Sequence, residues 1–356
     1  MSGTKANKKT SRVLIIRPSA LGDVSRTVPL LASLRHAMPG AHIDWLVHEA
    51  FADVIRHHPA LDGLVLFPRS RFASIYRNPR AMWEALAWIR DLRRRKYDLV
   101  IDAQGLFRSG LFAQMTAAPI RIGFGNAREF AWLGYNQRYH VDKQLHAVDR
   151  LLALIKAAGI KPTRDIRLYI GEAEHQWLNQ YLADHHITDN GYACLAPFAR
   201  WRSKCWPLTR YGEIAHRLLK TELAGRHLIL VSSPQEQAQL PPMLEALYQR
   251  NQNLRNRILT PKTSVGQMMA LLSRTNLLVS NDSAPLHIAV GFDRPIVGIY
   301  GPTDSSLVGP YQRNNAIVHP PLTNNCSYRY RRHRDDQSLI AQITTDEVWR
   351  KIQQQF

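Results

Sequence analysis

Short runs of β-branched and other apolar residues alternate along the chain with stretches in which apolar positions recur every three or four residues. Runs of the first kind suit strands covered on both faces, and stretches of the second kind suit amphipathic helices. The alternation therefore predicts βαβ units on parallel sheets, an α/β fold. In the first half the predicted strands are VLIIRP (13–18), IDWLVH (43–48), GLVLFP (63–68), DLVIDA (98–103) and RIGF (121–124). A helical pattern, HAVDRLLALIKAAGI (146–160), is followed by KPTRDIRLYIGEAE, whose Pro162 and extended character suit a connector. The alternation then restarts with GYACLAP (191–197), HLILVSS (227–233), NLLVSND (276–282) and PIVGIYG (295–301). Two α/β domains are expected, spanning 13–170 and 171–356. At 356 residues the chain has the length for two. Residues 1–12, MSGTKANKKTSR, are polar and basic without an apolar stretch, and read as a disordered tail and not a secretory signal.

Ligands of parallel sheets bind beyond the carboxyl ends of strands, so the loops that follow strands carry the candidate chemistry. Four have unusual content. In RPSALGDVSRT, Gly22 would allow a tight turn and Asp23 stands at a helix N-terminus, where it either caps the helix or performs chemistry. This loop has neither the G-x-G-x-x-G spacing of a dinucleotide site nor the G-x-x-x-x-G-K of a P-loop. In DAQGLFRSGL, the polar quartet from Asp102 to Gly105 reads as a turn and cap. In APFARWRSKCWP, Arg200, Arg202 and Lys204 suit a phosphate. VSNDSAPLHIAVGFDRPIVGIYGPTD ends a strand at Asn281-Asp282, offers Ser283 as a helix cap with Pro285 in the first turn, carries His287, and closes the helix at Gly291. Such a helix N-terminus is ready to receive a diphosphate, and the YGPTD loop, Tyr300 to Asp304, would close over it.

The net charge of +19 and pI near 10.2 imply an anionic partner. Residues 1–160 hold 24 Lys and Arg against 12 Asp and Glu, so the first half supplies 12 of the 19 positive charges and should meet the larger anion. Arg69, Arg71, Arg77, Arg80, Arg90, Arg93, Arg94, Arg95 and Lys96 cluster there with Trp83 and Trp88. That segment reads either as a solvated face or as an aromatic, basic surface for an anionic membrane. Three cysteines, Cys194, Cys205 and Cys326, without C-x-x-C spacing, argue against a disulfide framework and a zinc site. No apolar run approaches the roughly 20 residues of a membrane span, and a cytoplasmic protein is expected.

In ordered combination, GDVSRTVPLLASLRHAMPGAHIDWLV, YDLVIDAQGLFRSGL, KQLHAVDR and VSNDSAPLHIAVGFDRPIVGIYGPTD resemble the heptosyltransferases of glycosyltransferase family 9, over nearly the whole chain. The resemblance implies the GT-B architecture: two facing Rossmann-like domains with a cleft between them, acceptor on the first and nucleotide-sugar on the second. It implies ADP-heptose as donor substrate without a cofactor or metal. The implied acceptor is a Kdo sugar on lipid A, an anionic phosphorylated glycolipid at the cytoplasmic face of the inner membrane, with the enzyme peripherally associated there. By the same matching Asp23 is the catalytic base and Lys204 stabilises the departing diphosphate. Asp282, Ser283, Ala284 and His287, with Arg202, hold the donor. Gly22, Gln104, Arg69, Arg71, Arg77 and His146 line the acceptor side. The chain departs from the family in having Ser283-Ala284 for the frequent Thr-Gly, Cys205 between Lys204 and Trp206, and only Cys326 where many relatives carry a cysteine cluster. DAQGL is similar to enzymes adding the first heptose, whereas NDS and DDQSLIAQIT are similar to those adding the second. Two other readings are a family 9 enzyme with a different nucleotide-sugar or a later core acceptor, and a non-enzymatic basic protein that binds nucleic acid. The chain has no nucleic-acid motif, so no such partner is expected.

Overall fold

The computed structural model describes residues 11–72, 78–188, 191–221, 227–321 and 334–356. The chain divides into two compact units, one of Met1–Lys143 with Ala147–Ile166, the other of Gln144–His146 with Arg167–Phe356. The chain passes from one unit to the other at 166/167, against the expected 170/171.

The first unit holds a six-stranded sheet of β1 (Arg12–Ile16), β2 (His42–His48), β3 (Gly63–Phe67), β4 (Leu99–Asp102), β5 (Ile120–Phe124) and β6 (Gln137–Tyr139). All pairs are parallel and the order is β3-β2-β1-β4-β5-β6. Residues Val13 to Ile16 are all fully buried, the consequence of helices covering both faces, and this is why the strand reads as a continuous apolar run. Arg12 is the first residue of β1, so the strand begins inside the segment expected as tail.

The second unit repeats the plan with β7 (Tyr192–Ala196), β8 (His227–Leu230), β9 (Ile258–Leu259), β10 (Leu278–Asn281), β11 (Ile296–Ile299) and β12 (Ile317–Val318), in the order β12-β11-β10-β7-β8-β9. Taken from its own first strand, this is the same doubly wound Rossmann order as the first sheet. Its core gathers Leu195, Trp206, Tyr211, Ile214, Val279, Val297 and Ile299. β6, β9 and β12 had no counterpart among the predicted strands. Each spans only two or three residues at the outer part of its sheet, too short to leave an apolar run.

In the basic segment, the helix Pro79–Arg94 separates its two tryptophans. Trp83 is 73 % exposed, whereas Trp88 donates from Nε1 to the Leu66 carbonyl at 2.9 Å and packs among Phe67, Phe72 and Phe112.

Candidate active site

In each Rossmann order the chain reverses direction between the first and fourth strands, and ligands bind at that switch point. The four unusual loops leave these two points, two per sheet.

In the first unit the loops follow β1 and β4. Ile16 and Asp102 are register partners. Just beyond them the Ala103 N–H donates to the Ile16 carbonyl at 3.0 Å, and the Arg17 guanidinium donates to the Ala103 carbonyl. The Ser19 N–H donates to Gln104 Oε1 at 3.4 Å, so Gln104 ties down the loop that leads to Asp23. Gly105 has φ +70°, a left-handed turn that favours glycine.

Asp23 is the third residue of the short helix Leu21–Arg26, and its carboxylate takes part in capping that helix. Its Oδ2 accepts from the Ala20 N–H at 3.3 Å, as a capping carboxylate does, and lies 3.3 Å from Arg17 Nη2. Its Oδ1 meets Arg26 Nη2. Burial acts to raise this carboxyl, but the two guanidiniums and the Ala20 N–H prevail and hold it well below the usual carboxylate range. The side chain keeps 30 % exposure, so the carboxylate is ionised and reachable. Gly22 lies inside this helix with its carbonyl accepting from Ser25 Oγ at 2.8 Å, and not in the tight turn expected of it.

Asp102 is fully buried and accepts from the Gln104 N–H at 2.8 Å, the Gly105 N–H at 3.1 Å and the Tyr135 hydroxyl. Burial pushes its carboxyl up. Tyr135 reaches it by lying over Gly123, where a Cβ would stand 2.2 Å from the ring. Asp102 thus shapes the Gln104 loop from below.

In the second unit the loops follow β7 and β10. The Lys204 ammonium donates to Asp282 Oδ2 at 2.6 Å, with side-chain exposures of 14 % and 8 %. Burial acts to raise the Asp282 carboxyl, but the positive charge of Lys204, with a smaller contribution from His287, outweighs it and holds it below the usual range. Asn281, fully buried, joins the two loops: its Nδ2 donates to the Pro197 carbonyl at 2.6 Å, and its Oδ1 accepts from the Trp206 N–H and the Tyr211 hydroxyl, each at 3.1 Å. Trp206 in turn donates to the Ile343 carbonyl at 2.9 Å. Ala284 opens the helix Ala284–Gly291, whose first N–H groups have no partner within the helix.

Two features of this helix differ from expectation. Ser283 stands at the cap position, but its hydroxyl bonds to Ser280 Oγ at 3.1 Å and makes no capping bond. Gly291 remains helical, and Asp293, at φ +54°, takes the left-handed position beyond the end, a conformation aspartate tolerates.

The structure brings together Asp23 with the Gln104 loop, and Lys204 with Asp282, His287 and Thr303. It does not bring Arg202 to that group: Arg202 is exposed and its Nε donates to Gln337 Oε1 at 3.2 Å. His146 belongs to the second unit, with Nε2 3.0 Å from the Gly309 carbonyl and its ring 5.1 Å from that of Tyr311. Arg69 is exposed just after β3 and, together with burial, lowers the pKa of His48. The Arg71 side chain, Arg77 and Cys326 lie outside the described residues. Sequence reasoning missed Arg17, Arg26, Asn281 and Thr303. All four lie within the stretches it selected, but only the folded chain shows which side chains meet. Among the described residues no three or more His, Cys, Asp or Glu side chains are grouped to hold a metal ion.

The profile of glycosyltransferase family 9 (heptosyltransferase) matches residues 85–337. Lipopolysaccharide heptosyltransferase 1 of Salmonella typhimurium is 29% identical over 317 residues, covering 88% of this chain and 95% of that protein. Among solved structures, E. coli heptosyltransferase WaaC with ADP is similar with a TM-score of 0.77 and 28% identity, over 97% of this chain and 100% of the other. The same enzyme solved with ADP-2-deoxy-2-fluoro heptose gives 0.74 and 26%, over 97% and 100%. The two Rossmann-order sheets and this likeness make the fold GT-B. With its profile covering more than half of the residues, the chain belongs to glycosyltransferase family 9, the heptosyltransferases of lipopolysaccharide core synthesis.

Proposed function

We propose that this glycosyltransferase moves heptose from ADP-heptose to the Kdo region of lipid A in a single inverting displacement. The observation that carries the reading is the buried Lys204–Asp282 pair at the foot of the helix Ala284–Gly291, in a chain so similar to a heptosyltransferase solved with ADP. The name of the Salmonella relative, heptosyltransferase 1, and the DAQGL segment support the first heptose as the one added.

The acceptor hydroxyl attacks the anomeric carbon of the heptose while the bond to the diphosphate oxygen breaks, through a transition state of oxocarbenium character. Asp23 takes the hydroxyl proton. Two arginines keep this carboxylate a weak base, so the proton moves late, once the forming C–O bond has made the hydroxyl acidic. The guanidiniums also aim it, which for a late transfer matters more than basicity. The departing ADP gathers negative charge beside Lys204 and the N–H groups at Ser283 and Ala284, which stabilise it electrostatically. The donor diphosphate shares Lys204 with Asp282, whose negative charge His287 also favours.

The acceptor is a lipid, and the first unit offers a face to a membrane surface. Met82, Trp83 and Leu86 of the helix Pro79–Arg94, Phe107 and Leu111 of the helix Phe107–Met115, and Phe130 and Leu133 nearby are exposed apolar side chains. Exposed Arg80, Arg90, Arg93, Arg94 and Arg108 accompany them, a combination that suits anionic headgroups. No helix among the described residues is long and apolar enough to cross a membrane. The test of the reaction is incubation with ADP-heptose and Kdo-lipid A, read by mass spectrometry. A heptose increment on the lipid is expected. Its absence, with an increment from a different nucleotide-sugar, would overturn the donor assignment.

A further inference from the structure

In the reaction above, Asp282 and the donor diphosphate compete for one ammonium. Asp282 keeps 8 % side-chain exposure, and its Oδ2 takes the Lys204 ammonium at 2.6 Å. When Lys204 turns to the diphosphate, the acid gives up part of the interaction that offsets its burial. A buried carboxylate that loses its cation is strongly destabilised. The exchange therefore needs a second hydrogen-bond donor near Asp282, one that is not engaged elsewhere.

The loop after β11 holds such a group. β11 lies beside β10 with Ile299 opposite Asn281, and the Asp282 N–H donates to the Ile299 carbonyl at 3.2 Å. From there the loop Tyr300 to Asp304 packs on the loop that carries Lys204. A Cβ on Gly301 would stand 3.0 Å from the carbonyl oxygen of Ser203, the residue before Lys204, so a side chain there would press the two loops apart. Thr303, in the same loop, is 2 % exposed, and its hydroxyl is enclosed and makes no hydrogen bond. An enclosed hydroxyl without a partner is uncommon in a folded protein and calls for an explanation. Burial opposes the Asp282 charge, Lys204 and then His287 favour it, and Thr303 adds least among them. The hydroxyl thus stands by the acid without being engaged while Lys204 is.

We propose that Thr303 is a positioning residue that receives Asp282 when the donor diphosphate draws Lys204 away. Its hydroxyl turns to donate to the carboxylate, and the acid keeps a charge-assisted hydrogen bond throughout. The gain falls on the donor complex alone. In the free protein the hydroxyl is an unmatched buried group, and deleting such a group is close to neutral or stabilising. With the donor bound, it eases the division of Lys204 between two anions. Thr303 touches neither heptose nor ADP in this scheme and acts through Asp282. The inference rests on the reading that Lys204 serves the diphosphate, and goes beyond it in naming what lets the ammonium change partners.

The test combines calorimetric titration of the full-length chain with ADP and urea unfolding without it. Thr303→Val keeps the shape and removes the hydroxyl, whereas Thr303→Ser keeps the hydroxyl. A hydrogen bond to a charged group is worth roughly 10-fold in affinity, so Thr303→Val should weaken ADP by about that factor and Thr303→Ser should bind nearly as wild type. The urea midpoint of the free Thr303→Val protein should be unchanged or higher. Because the hydroxyl acts through a charge, the same substitution in an Asp282→Asn background should change ADP affinity by less than about 2-fold. Wild-type ADP affinity in Thr303→Val, or an equal loss of affinity in the Asp282→Asn background, would overturn the exchange. A lowered urea midpoint with ADP affinity kept would overturn it too, and mark Thr303 as structural. Should valine lower both, Thr303→Ala and its Asp282→Asn counterpart decide by the same criteria. Wild type that binds no ADP would overturn the donor reading and the exchange with it, whereas ADP binding indifferent to Thr303 would overturn the exchange alone.

Discussion

The two sheets have one topology, yet their switch points treat a carboxylate in opposite ways. At the first, Asp23 is partly exposed and bound by two arginines, with further arginines around it. At the second, Asp282 is nearly buried and bound by one lysine, so the pair is close to neutral. An accessible acid in a cationic setting can reach for a hydroxyl on an anionic acceptor. In the proposed reaction, a buried acid holding a lysine would keep that lysine aimed at the departing diphosphate. Topology supplies the location in both cases, and the side chains give the two carboxylates their different settings.

The largest break in this comparison should come from Asp23→Asn, which keeps the shape and removes the proton acceptor. Turnover should fall roughly 100-fold or more while donor KM changes little, as expected for loss of general-base catalysis. Single-turnover rates at saturating donor measure it, and near-normal turnover would remove Asp23 from the role of base.

Lys204→Ala should act on the other switch point through both function and stability. Removing the ammonium leaves Asp282 buried and unpaired, which costs about 3–5 kcal/mol, and ADP affinity should drop about 10-fold or more. Urea unfolding and ADP titration report the two effects. The pair also sets a pH dependence. Folding lowers the Asp282 pKa, so its contribution to stability is complete above the unfolded value, about pH 4, and is lost as pH falls through the folded one. Asp282→Asn should lose less stability than wild type between neutral pH and pH 3. An identical acid profile would mean that the pair is not a source of acid sensitivity.

Asn281→Ala sharpens the contrast at a distance from the chemistry. It leaves the Trp206 N–H and the Tyr211 hydroxyl without their acceptor, which should cost about 1–3 kcal/mol in a denaturant melt. The mildest change is Ser283→Ala. A hydroxyl that capped its helix would be worth about 1 kcal/mol, but this one bonds to Ser280, so the loss should be well under that. A full capping loss in the melt would show that Ser283 caps the helix in solution.

The strands legible in the sequence were those buried on both faces, such as Val13 to Ile16, because burial without alternation forces a continuous apolar run. The outer strands β6, β9 and β12 were not legible, since two or three residues carry no period. The loops after β1, β4, β7 and β10 stood out because polar and glycine residues interrupted apolar sequence at strand ends. Their membership in two switch points was hidden, because strand order is a long-range property. For the same reason Arg202 looked equivalent to Lys204 from spacing alone, and the fold turned it toward Gln337.

What the sequence determined by itself was therefore the local part: the α/β alternation, the restart that marks a second unit, the strand-end loops and the basic first half. Those follow from residue type and period, which a chain carries whether folded or not. Only the tertiary structure decided that Asp23 shares its oxygens with Arg17 and Arg26 and that Lys204 is held by Asp282. Lys204 and Asp282 are 78 residues apart in the chain. Their contact arises because parallel pairing sets β7 beside β10, and no local preference of either residue could announce it.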